Sequence, residues 1–166
     1  MAMVNYTVLA NQYDKEADAL ADFASVRKLY VDLGIVDTYD AAVITRGTDG
    51  KVKIVKRVEE PTRRGGWMGL AVGAVATLFP GVGLGAMALG AATGALAGHV
   101  AGGMNRSDLK DLGELLDKGT SGLVVVTATD VQARVEAAIT RAKKRAKAGL
   151  KADTKILEKE LDAVTA

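Results

Sequence analysis

The sequence predicts an α+β domain interrupted by one apolar helical hairpin, and two patterns lead there. Short runs rich in β-branched residues, bounded by turn residues, alternate with segments whose apolar side chains recur every three to four positions. Between the two halves of that alternation lie 41 residues, Gly65 to Asn105, with no formally charged side chain, flanked by Arg63 and Arg64 before and Arg106 after.

Taken in order, Asn5 to Asn11 is a short strand candidate. Asp14 offers an N-cap to a helix from about Lys15 to Leu33, with Asp14, Glu16 and Asp18 at its positive end. Leu20, Phe23, Val26, Tyr30 and Leu33 form its buried stripe; Asp22, Arg27, Lys28 and Asp32 are expected to face water, and Gly34 stops it. Tyr39 to Arg46 and Lys51 to Val58 read as neighbouring antiparallel strands, because Asp49-Gly50 between them is a strong hairpin signal. Beyond the uncharged stretch, Ser107 opens a short helix carrying Leu109, Leu112, Leu115 and Leu116, ended by Lys118 and Gly119. Leu123 to Thr127 is a buried strand. Thr129 and Gln132 resemble a capping box for a helix with Val131, Val135, Ala138, Ile139 and Ala142 on one side, extending to about Leu150, and Asp153 to Val164 reads as a further amphipathic helix.

Without the uncharged stretch this order is that of a ferredoxin-like split βαβ sandwich. The expected organisation is a domain of residues 1–64 and 106–150, an inserted hairpin of residues 65–105, and a C-terminal amphipathic helix of residues 151–166. In the insertion, Gly65, Gly69 and Gly73, and then Gly90, Gly94, Gly98 and Gly102, recur at a spacing of four, so each set shares a helix face. A glycine face lets a second backbone approach closely, as in glycine zippers. Pro80, within Phe79 to Gly83, separates the two arms.

The run Tyr39 to Arg46, then Asp49 to Val52, Pro61 to Arg63, the glycine hairpin and Gly102 to Lys110 resembles an uncharacterised bacterial family of predicted membrane proteins with a domain of unknown function, DUF family 1269. The resemblance covers roughly Tyr6 to Lys144 and implies no activity, so it assigns no catalytic residue.

Chemistry is sparse. With no cysteine, disulfides and thiolate catalysis are excluded, and a reducing cytoplasm is the simpler setting. His99 is the single histidine, and the uncharged stretch gives it no acidic partner, so a metal site of three or four ligands is not expected. Gly81, Gly83 and Gly85 imitate a phosphate loop, but no lysine follows until Lys110. Asp108, Asp111, Glu114 and Asp117 step along the exposed side of a short helix. No enzyme, cofactor or small-molecule substrate is expected, and Met1 to Ala10 lacks the pattern of a secretory signal.

What the sequence does specify is association. Arg63, Arg64 and Arg106 set both ends of the hairpin on one, cytoplasmic side of a bilayer. Arg141, Lys143, Lys144, Arg145 and Lys147 form a basic cluster suited to anionic lipid, and the absence of interleaved aromatic residues argues against nucleic acid. Val82 to Met104 is long enough to span, whereas the 15 residues Gly65 to Phe79 make about 22 Å of helix against a hydrocarbon core of about 30 Å. Insertion of one hairpin is therefore marginal, and packing of glycine faces against other copies would supply the deficit. Two expectations follow: a self-associating protein at the cytoplasmic face of the cell membrane, or a cytoplasmic ring, shell or filament whose hairpins bury one another.

Overall fold

A computed structural model describes residues 3–35, 39–58, 106–115 and 119–153. Among the described residues the architecture is mixed α+β, with one antiparallel sheet of five strands and three helices. In chain order these are β1 (Met3–Tyr13), α1 (Glu16–Asp32), β2 (Asp40–Arg46), β3 (Val52–Arg57), α2 (Arg106–Glu114), β4 (Ser121–Ala128), α3 (Gln132–Ala138) after one 3-10 turn, and β5 (Lys144–Asp153). The spatial order is β3-β2-β4-β1-β5.

Hydrophobicity decides the centre of the sheet. Ser121 to Thr127 is buried at every position, as a strand covered on both faces must be, and β4 lies between β1 and β2. Leu9 pairs with Val125, and Val125 with Ala41, so these three share a face. There they meet Ala19, Phe23, Val26 and Tyr30 of α1 and Val135 of α3, with Ile139 just beyond it, in one apolar cluster. Their neighbours in the pleat, Val8, Ala10, Ala42, Ile44, Val124 and Val126, are buried on the opposite face. Helix α2 lies against β5, with Leu112 buried.

Turn chemistry matches the reading of the sequence. The β2–β3 connection closes through Gly47 N–H to the Lys51 carbonyl at 2.8 Å, and Gly50 takes the left-handed φ of 84° that this turn requires. Asp49 Oδ1 accepts from the Lys51 amide at 3.0 Å.

Four expectations change. Thr129 and Gln132 form no capping box: the 3-10 turn Thr129–Val131 precedes α3, neither element has a side-chain cap, and the Gln132 side chain bonds Thr7 and Glu136 instead. Helix α1 begins after Lys15, with no side-chain cap, rather than on an Asp14 cap. Asp22 is wholly buried instead of facing water. The helix expected to reach Leu150 ends at Ala138, and Lys144–Asp153 forms β5, paired along β1 from Met3↔Asp153 to Gln12↔Lys144. Arginine, lysine and alanine are good helix formers, but ten residues of pairing to an otherwise unpartnered edge of β1 override a preference of a few tenths of a kcal/mol each. Thus residues 151–153 of the expected C-terminal helix complete a strand, while residues 154–166 and the whole of the expected Gly65–Asn105 hairpin lie outside the described residues.

Candidate functional site

The basic cluster sits on an outer strand and the connection leading to it. Arg141 lies between α3 and β5, and its guanidinium meets Asp22 Oδ1 at 2.9 Å. Lys143 Nζ stands 3.4 Å from Asp14, while its amide donates to the Gln12 carbonyl at 2.7 Å. Arg145 turns back onto α3, donating to the carbonyls of Glu136, at 3.2 Å, and Ile139, which terminate that short helix. Lys147 Nζ lies 3.5 Å from Glu136. Lys144 is exposed. Most of these cations therefore have partners within the fold, which reduces the field they present to a lipid surface without removing it, since Lys143 and Lys147 keep side-chain exposures of 59% and 60%. Cationic side chains also suit the outer position itself, because lysine on an edge strand discourages pairing with another sheet. The opposite edge, β3, carries Lys53, Lys56 and Arg57 in the same manner.

Of the remaining expected site residues, Arg106 opens α2, so the chain re-enters the described body there. Arg63, Arg64, Gly65, Gly69, Gly73, Gly90, Gly94, Gly98 and Gly102 lie outside the described residues, as does His99. Among the described residues no three of histidine, cysteine, aspartate and glutamate gather as metal ligands.

Sequence reasoning missed one polar centre. The fully buried Asp22 carboxylate accepts from the Tyr13 hydroxyl at 2.8 Å, from the Arg141 amide at 3.0 Å and from the Arg141 guanidinium. It joins β1, α1 and the start of the β5 connection at one point. Burial, then the neighbouring Asp22 carboxylate, pushes the Tyr13 phenol well above its ordinary range. The signal was present in the apolar stripe: Asp22 immediately precedes Phe23 and lies four before Val26, on the inner side of α1. A second polar group crosses the core nearby, where Tyr30 hydrogen-bonds Thr127 and stacks on Tyr39 with ring centroids 4.1 Å apart. Burial pushes the Tyr30 phenol up to about 12, the Thr127 hydrogen bond opposing and Asp130 assisting. Both groups tie the helical layer to the sheet.

A family model described as "Protein of unknown function (DUF1269)" matches residues 63–163. The chain belongs to that family. The match begins beyond the Tyr39–Val52 run on which much of the resemblance rested, and it continues past Lys144, where the resemblance ended, through the rest of the basic cluster and β5. The matched residues include the uncharged stretch together with α2, β4, α3 and β5. Comparisons with curated proteins and with solved structures return no match.

Proposed function

We propose that this is a non-enzymatic, self-associating protein held at the cytoplasmic side of a bilayer by its Gly65–Asn105 glycine-zipper hairpin. The observation that carries the proposal is the uncharged stretch itself, with arginines at both ends and glycines at a spacing of four. The fold supplies a matching connection: the chain leaves after β3, at Val58, and returns at α2, which lies against β5 of the same body. A segment that starts and finishes on one body suits an even number of crossings or a re-entrant hairpin. Among the described residues no helix is long and apolar enough to cross a membrane, so the body would remain outside it.

On this reading the body is a ferredoxin-like split βαβ sandwich with one added edge strand. Strands β1, β2, β4 and β5 with helices α1 and α3 follow that topology, β4 and β5 taking the places expected for the third and fourth strands, and β3 extends the β2 edge. The hairpin is inserted after β3. Its partners are other copies of the chain and, secondarily, anionic lipid reached by Arg63, Arg64, Arg106 and the exposed ends of Lys143, Lys144 and Lys147. The shortness of the first arm favours the alternative, a soluble assembly whose hairpins bury one another.

Detergent-free cell fractionation separates the two. The full chain is expected in the membrane pellet, and a variant with residues 65–105 replaced by a short flexible linker in the supernatant, still folded. Full-length protein sedimenting as a discrete particle free of lipid would establish the soluble assembly instead.

A further inference from the structure

The described helices divide unequally between the two faces of the sheet. Helices α1 and α3 share the apolar cluster on the first face. On the second, Tyr6, Val8, Ala42, Ile44, Val124 and Val126 are each at most 2% exposed. The strand register carries this second face into β5, where Ala146 and Ala148 stand opposite Ala10 and Val8, while Arg145 and Lys147 stand opposite Asn11 and Leu9 on the first. Among the described residues α2 is the one helix on the second face: it lies against β5, and Leu112 is buried outside the first-face cluster. Its nine residues make about 13 Å of helix. The sheet measures about 19 Å across its five strands and about 27 Å along the eight residues of β4, so α2 covers only part of it. The burial is achieved within one chain, and the rest of the cover therefore belongs to the chain itself.

We propose that residues 154–166 dock on this second face as a helix beside α2. Two stretches outside the described residues are long enough, 59–105 and 154–166, and their chemistry decides between them. A helix laid on a sheet in water needs one apolar side and one polar side. In the last stretch Leu157, Leu161 and Val164 step by four and three onto one side, with Lys155, Glu158, Lys159 and Asp162 on the other. Gly65 to Asn105 has no charged side, so laying it on the sheet would only move the apolar surface outward. Position agrees, because residue 154 follows directly on β5, the strand against which α2 lies, and residues 154–166 make about 20 Å of helix. The uncharged stretch is then free to enter lipid without uncovering the sheet.

The test places a nitroxide on the charged side of the segment, at K159C in a chain that has no other cysteine, and reads its broadening of backbone amides by NMR on the full chain in detergent micelles. The amides of Val8, Ala42, Val124 and Val126 should lose most of their intensity, while those of Arg27 and Lys28 on α1, beyond the sheet, keep theirs. L157Q/L161Q should restore the strand signals, and E158Q/D162N, on the charged side, should leave the broadening as it was. The first measurement stands whether or not the leucine variant folds. Broadening confined to the residues next to Asp153 overturns the proposal and assigns the cover to residues 59–105. Broadening of α1 in place of the strands also overturns it. Mixing nitroxide-bearing chains with isotope-labelled chains free of nitroxide should leave the labelled chains sharp; loss of their strand signals instead assigns the face to the segment of a second copy. Membrane insertion is measured separately by fractionation, so either reading can fail while the other stands.

Discussion

At the scale of single residues, the arrangement around Asp22 shows how a buried charge is retained in this fold. The carboxylate has no exposure, yet both oxygens accept hydrogen bonds, one from the Tyr13 hydroxyl and the Arg141 amide and the other from the Arg141 guanidinium. Truncating the arginine leaves the charge without its counter-ion. R141A is therefore expected to destabilise the protein by about 2 to 3 kcal/mol, below the full range for buried pairs because the guanidinium is half-exposed. D22A/R141A should lose less than the sum of the two single changes, and urea unfolding of the four proteins measures the difference. Tyr30 gives a second check, through pH. Its pKa rises from 10.0 to about 12 on folding, so the folded state holds the proton more tightly. The contribution is complete below pH 10 and is lost as pH climbs toward 12, amounting to about 3 kcal/mol at most. Thermal unfolding followed from pH 9 to about 12 should show this decline, and Y30F should flatten it.

At the scale of elements, legibility followed the strength of local pattern. The β4 run Leu123 to Thr127, the Asp49-Gly50 turn and the stripe of α1 could be read because apolar periodicity and turn residues agree with the final contacts. Strand β5 could not be read from propensity, since Arg145, Ala146, Lys147 and Ala148 suit a helix. A weaker signal was there: cations at 145, 147 and 151 alternate with apolar residues at 146, 148 and 150, the period of a strand. The same correction moves the basic cluster from the end of a helix to an edge strand and the connection before it, where its cations are largely engaged within the fold. The proposed glycine arms invite a test at this scale. Replacing Gly94 and Gly98 with leucine raises helix propensity by up to about 1 kcal/mol at each site and adds apolar surface, so insertion alone should improve. If the glycine face exists for close helix contact, the added side chains instead separate the arms, and native mass spectrometry in detergent should show a smaller oligomer with unchanged secondary structure. An unchanged oligomer would remove the zipper from the account.

At the scale of the molecule, a sheet whose central strands are buried on both faces is interrupted in sequence by one long uncharged stretch between β3 and α2. The family match, residues 63–163, covers that uncharged stretch and the segments that form α2, β4, α3 and β5. Nothing in that membership names an activity, and the central claim is physical: the hairpin leaves water for lipid. The chain has no cysteine, which permits a direct measurement. A single cysteine at Val82, beside Pro80 and between the two proposed arms, is compared with one at Lys110, exposed on α2, by their rates of reaction with a membrane-impermeant maleimide, with and without anionic vesicles. The account predicts that V82C becomes at least tenfold slower when vesicles are added, about the effect of transferring 1.4 kcal/mol of free energy, while K110C is unchanged. A V82C rate that is the same with and without vesicles, whether fast or already slow in buffer, would contradict it.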